Sequence, residues 1–141
     1  MTQADDRFAI IAVLDRYAEV LDTRAWGGLD DVFAVDAEMD FGEWRARGVD
    51  AIRERIRSYL DGCGPSQHLL GNYRIELDAG DADRATSRCY IRVQHVGAGR
   101  LAGETYEMYG EYRDALVRTS DGWRIRERRA AVFMELGNRR V

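Results

Sequence analysis

His68 is the first residue in this chain to suspect of chemistry. It sits in the stretch Gln67-His68-Leu69-Leu70-Gly71-Asn72 and is one of only two histidines among 141 residues. Imidazole is the side chain whose unperturbed pKa lets it both take and give a proton near neutral pH. The alternative is a hydrogen-bonded core histidine or a strand-end surface residue. Asp22 is the second candidate, at the end of the helical segment Ala18-Glu19-Val20-Leu21-Asp22. A carboxylate there meets the negative end of the helix macrodipole, which opposes its ionisation. It needs a reason to be there. Either it orients a histidine and stabilises the imidazolium, as in hydrolase triads, or it is a solvated acid pairing with Arg24. His95 shares strand parity with Cys89, Ile91 and Val93 and so points inward. Tyr17, Trp44, Tyr106 and Tyr112 line a pocket on this reading, or else are plain core aromatics. Asp114 shares parity with Gly110 and Tyr112, and a buried acid there requires a partner such as an arginine of the last strand.

Other chemistries are excluded by what is missing. All 21 basic residues are arginine. With no lysine, neither a Schiff base nor an internal pyridoxal-phosphate aldimine can form, and a Walker phosphate loop loses its lysine. The run from Gly97 to Gly103 misses the dinucleotide-binding spacing and precedes a strand. Gly62-Cys63-Gly64 lacks the strand-to-helix elbow of a nucleophile turn. Both histidines with Asp22 make a poor metal ligand set by count and spacing. The expectation is therefore no organic cofactor and no metal. The net charge of -4, with acids and arginines interspersed, argues against a nucleic-acid partner, the segment Arg124 to Arg129 being the local exception. No apolar run approaches the roughly 20 residues of a membrane span. The acidic start, Met1-Thr2-Gln3-Ala4-Asp5-Asp6, does not resemble a signal peptide, so a cytoplasmic protein with reduced Cys63 and Cys89 is expected.

The elements that must position these residues follow from periodicity. Phe8, Ile11, Leu14, Ala18 and Leu21 recur at helical steps from Asp5 to Asp22, widened by Ile10 and Tyr17, and Asp5 or Asp6 can cap the start. A second short helix is expected over Ala25 to Ala34, although Gly27-Gly28 weakens it. A short strand follows at Ala37 to Phe41, with Trp44 to Gly48 pairing to it. Val49 to Leu60 is again helical, and the run Asp61 to Pro65 ends it. Four long strands are expected after that, at His68–Leu77, Ala85–Val96, Glu104–Arg118 and Trp123–Leu136, separated by glycine-containing turns. His68 and Asn72 do not alternate simply with Ile75 and Leu77. Both sets face the core only if a bulge near Gly71 shifts the register. Helices first and a meander after make a single α+β domain over residues 1–141.

Several local words carry a resemblance: Arg16-Tyr17-Ala18, Leu21-Asp22, Leu29-Asp30-Asp31-Val32-Phe33, Gln67-His68, Gly71-Asn72, Gly110-Glu111-Tyr112-Arg113-Asp114 and Asp121-Gly122-Trp123-Arg124-Ile125. In these the chain resembles the SnoaL-like polyketide cyclases of the nuclear transport factor 2 fold. The resemblance implies a cone-shaped α+β barrel, with three N-terminal helices packed on a strongly curved, mostly antiparallel sheet. It implies an Asp22–His68 dyad like that of the dehydrochlorinase and dehydratase branch, with His95 similar to a second pocket histidine. Leu21 stands where scytalone dehydratase carries a tyrosine, and Tyr17 lies one turn earlier.

Two functions are consistent with this reading. One is a cofactor-independent lyase, isomerase or cyclase acting on a small hydrophobic, polyketide-like or aromatic substrate. In it His68 is the base, Asp22 its orienting partner, and His95, Tyr17 or Tyr112 the donor to developing charge, while Trp44, Asn72, Tyr106 and Asp114 complete the pocket. The other is a binding or assembly module without chemistry. A homodimer through the outer sheet face is also expected, because Tyr90, Arg92 and Tyr109 would otherwise be exposed there.

Overall fold

The computed structural model describes residues 2–141. Helix α1 (Gln3–Thr23) starts at Thr2. The Thr2 hydroxyl accepts from the Asp5 amide, and the Asp5 carboxylate accepts from the Thr2 amide. Asp5 thus completes a capping box in place of capping alone. Asp6, the other expected cap, is buried. It accepts two hydrogen bonds from Arg118, at 2.7 and 2.9 Å, and one from the Trp123 indole at 3.1 Å, tying the start of α1 to the far end of the sheet. The buried stripe runs through Ile10, Leu14, Tyr17, Ala18 and Leu21, whereas Phe8 is 72% exposed. The stripe's centre lies on Ile10 and Tyr17, so Phe8 falls at its edge.

The second short helix expected over residues 25–34 is a 3-10 helix, Trp26–Asp31. Gly28 passes so close to α1 that a Cβ on it would lie 2.6 Å from a Val20 methyl carbon. The tight turn ends at Val32, so β1 (Phe33–Asp40) begins earlier than the sequence suggested. Strand β2 (Arg45–Arg47) pairs with it, and α2 (Val49–Leu60) follows, burying Val49, Ile52, Ile56 and Leu60. The helical layer is thus two α-helices and a 3-10 turn.

The remaining chain is the meander β3 (Ser66–Leu77), β4 (Arg84–Val96), β5 (Thr105–Thr119) and β6 (Gly122–Gly137). The six strands lie in the order β2-β1-β6-β5-β4-β3, antiparallel throughout except where β1 runs parallel to β6. Register breaks at Tyr109/Gly110 and Ala115/Leu116 bend the long β5–β6 pair. Gly110 is required at the first: a Cβ there would lie 2.1 Å from the Ala131 carbonyl oxygen.

The bulge anticipated in β3 is present between Gly71 and Arg74, with Asn72 at φ 54°. Before it His68 and Leu70 face inward; after it Tyr73, Ile75 and Leu77 do. The shift lets one strand serve both the pocket and the underside of α1. Tyr73 donates a short hydrogen bond to Asp15, and Arg7 donates one to the Ile75 carbonyl. These contacts hold α1 along β3, so its last turn arrives at His68. No helix among the described residues is long and apolar enough to cross a membrane.

Candidate active site

Asp22 lies in the last turn of α1, and the helix ends with Arg24 in the left-handed conformation (φ 58°). Its carboxylate accepts from the His68 main-chain amide at 2.9 and 3.1 Å, and from Ser66 Oγ at 3.4 Å. It also lies 2.7 Å from His68 Nδ1. These donors offset the unfavourable helix dipole, which answers why an acid stands there. A carboxylate only accepts, so it draws the imidazole hydrogen to Nδ1 and leaves Nε2 bare. The His68 side chain is only 6% exposed and lines a cavity.

Arg24 does not pair with Asp22. Its guanidinium caps α1 by donating to the Leu21 carbonyl, and it reaches the Gly64 carbonyl and Ser66 Oγ, both at 2.8 Å. Ser66 therefore accepts from Arg24 and donates to Asp22. The sequence reading missed both roles. Ser66 was reachable by parity, two residues before His68 on the same face of β3.

His95, on the inner face of β4, has its ring centroid 5.7 Å from that of His68 and 5.8 Å, edge-on, from Tyr106. Its Nδ1 lies 3.9 Å from Cys63 Sγ, and its Nε2 is buried without a hydrogen-bond partner. Burial first, and the neighbouring His68 second, push its pKa down to about 4, so the ring is neutral at neutral pH.

The cavity has a volume of about 460 Å³, within the range of small-molecule sites. His68, His95, Trp44, Tyr106 and Tyr112 line it, with Met108 among the apolar residues. Trp44 stacks on Phe41 at 5.6 Å between centroids. Tyr106 donates to Glu135 at 2.5 Å. Near the C-terminus Arg139 bonds Glu43 at 2.8 Å and Glu135 at 3.3 Å, a rim that sequence periodicity did not reveal.

Three expected pocket residues lie elsewhere. Asn72 is exposed at the bulge, because the left-handed backbone that re-aims His68 turns Asn72 outward. Asp114 is buried behind the cavity, accepting from Arg128 at 2.7 and 2.9 Å and from Ser87 at 3.3 Å. Arg128 is thus the last-strand arginine that Asp114 needed. Tyr17 is also buried but does not line the cavity. It packs edge-on against Tyr112 at 5.7 Å, and the Arg128 guanidinium lies over both rings at 4.4 and 4.1 Å. Tyr17 supports the Tyr112 wall from behind. Among the described residues, no group of three or more His, Cys, Asp or Glu side chains is placed to hold a metal ion.

A family model described as a SnoaL-like domain matches residues 2–129. An uncharacterized protein of Mycobacterium tuberculosis is 34% identical over 130 residues, covering 89% of this chain and 84% of that protein. A crystal structure of a Kribbella flavida protein superposes with a TM-score of 0.88 at 22% identity, covering 96% of this chain and 95% of that one. Hexachlorocyclohexane dehydrochlorinase LinA-type3 of Novosphingobium barchaimii superposes with a TM-score of 0.83 at 15% identity, covering 99% and 94%. At those identities the two structures speak for the fold alone.

Proposed function

Because this chain belongs to the SnoaL-like domain family, we propose that its cavity is the active site of a cofactor-independent acid–base enzyme. The substrate is a small, largely apolar molecule, and the reaction is an elimination, isomerisation or aldol-type cyclisation. These share a first step, removal of a proton beside a carbonyl, hydroxyl or halide. The observation that carries the reading is the 2.7 Å contact between Asp22 and His68 Nδ1 at the wall of an apolar cavity. Asp22 holds the tautomer and stabilises the imidazolium. His68 Nε2 takes the substrate proton and, once protonated, returns it to the product or leaving group. Tyr112 forms part of the cavity wall. Burial holds the pKa of its hydroxyl well above the usual phenol value, so it stays protonated.

The test is incubation with hydrophobic ketones and phenols in deuterated water, followed by mass analysis. Product formation or deuterium uptake with the native chain, lost in His68→Ala, supports the enzyme. Tight binding with neither product nor exchange across the series favours the second reading, a holding module without chemistry.

The outer sheet face supports a dimer as part of the same reading. Tyr90 and Phe133, 48% and 58% exposed, pack edge-on there at 6.3 Å. Beside them Arg92 lies over the Tyr109 ring at 4.9 Å. A second copy would cover this aromatic patch.

A further inference from the structure

The unpartnered nitrogen of His95 sets a condition on what enters the cavity. Cys63, in the loop between α2 and β3, has its Sγ 3.3 Å from the Tyr59 carbonyl oxygen and 3.9 Å from His95 Nδ1. The thiol has one hydrogen, and it goes to the Tyr59 carbonyl oxygen, the nearer of the two acceptors. The sulfur then meets His95 with lone pairs alone, and Nδ1 carries the imidazole hydrogen. Nε2 is left bare, buried, and on a residue that lines the cavity. Its neighbours do not supply a donor. His68 directs its ring hydrogen to Asp22, and the Tyr106 hydroxyl donates to Glu135 at 2.5 Å. Protonation does not remove the vacancy either, because the ring is neutral down to a pH of about 4. A buried acceptor without a partner is costly, and a ligand that satisfies it gains what the free protein lacks.

On the reading of this cavity as the substrate site, we propose that the substrate carries a hydroxyl group whose hydrogen His95 Nε2 accepts. Cys63 is a positioning residue that fixes the acceptor tautomer. His95 thereby reads an O–H and does not donate to an oxyanion, a different role from the one the sequence suggested. A polar site of this kind rejects an analogue that lacks the hydroxyl more sharply than an apolar wall rejects a missing methylene.

Two measurements on the full chain at neutral pH test this. Long-range proton–nitrogen NMR of histidine-labelled protein should show His95 as the Nδ1–H tautomer, and Cys63→Ala should admit the other form. An Nε2–H tautomer in the native protein overturns the proposal. Calorimetric titration should show 2-naphthol binding about 10-fold or more tighter than 2-methoxynaphthalene, the usual scale of one hydrogen bond. That preference should vanish in His95→Phe, whose folding the same NMR spectra report. Equal affinities in the native chain, binding of neither probe, or a preference that survives in His95→Phe overturns it. Neither readout needs turnover. A failed base assignment, seen as full activity in His68→Ala, is therefore distinguishable from a failed hydroxyl assignment.

Discussion

Arg128 donates to both oxygens of Asp114, at 2.7 and 2.9 Å, with both side chains fully withdrawn from solvent. The pair fastens β6 to β5 behind the cavity, and the Tyr17 and Tyr112 rings flank the guanidinium. Removing one partner of a buried ion pair leaves the other charge uncompensated, at a cost of about 3–5 kcal/mol. Arg128→Met should lose stability on that scale in urea unfolding, and Arg128→Met with Asp114→Leu should recover much of it. A loss under about 1 kcal/mol for the single variant would show that the pair is not holding the wall.

Stability should fall between neutral pH and mild acid through His95. The folded pKa is about 4 against 6.5 for the ordinary side chain. Between those values the unfolded chain binds a proton that the folded chain does not, so stability rises with pH across this window and is lost as pH falls. His68, Cys63 and Tyr106 face the ring, with the charges of Asp22 and Arg24 nearby. Denaturation midpoints at several pH values should show this slope in the native chain and a shallower one in His95→Asn. Identical slopes would count against a buried neutral imidazole.

The bulge should be sensitive to backbone preference. Asn72 sits at φ 54°, where a β-branched residue is strained by about 1–3 kcal/mol. Asn72→Val should be destabilised on that scale and Asn72→Gly tolerated, both read by thermal unfolding. Equal behaviour of the two would mean that the register shift does not depend on this residue.

The exposed Tyr90–Phe133 pair should lie in a dimer interface. Sedimentation at tens of micromolar, chosen on the affinity scale of modest interfaces, should give a dimer for the native chain and a monomer for Phe133→Glu. A native monomer at that concentration would remove the outer face from the account.

Much of this architecture was legible because periodicity reports directly on burial. The four long strands, α2 and the inward face of His95 follow from it, and the clash of parity between His68 and Ile75 required the bulge. Phe8 was misjudged because two overlapping stripes satisfy the same helical spacing, and only packing on β3 and β6 chooses between them. The short helix at Trp26–Asp31 is of the 3-10 kind, with Gly28 passing against Val20, a contact between elements that no local pattern encodes. The site was legible in its residue types and less so in its placement. Asp22 and His68 stood out because each was anomalous alone. Tyr17 and Asp114 also lie near the pocket in the chain's layout, yet both are taken up by Arg128 behind its wall. Cys63 and Ser66 acquire meaning only from what they touch.

The central claim is that His68 and Asp22 act as one base. It is tested most directly by turnover of a single substrate by the native chain, His68→Ala, Asp22→Asn and the double variant, each checked for intact fold. Loss of an acid–base group typically lowers the rate by about 100- to 10,000-fold. His68→Ala should fall in that range and Asp22→Asn nearly as far, because asparagine can favour the wrong tautomer. The double variant should be little worse than His68→Ala, since each residue needs the other. A folded His68→Ala that turns over at the native rate would contradict the account.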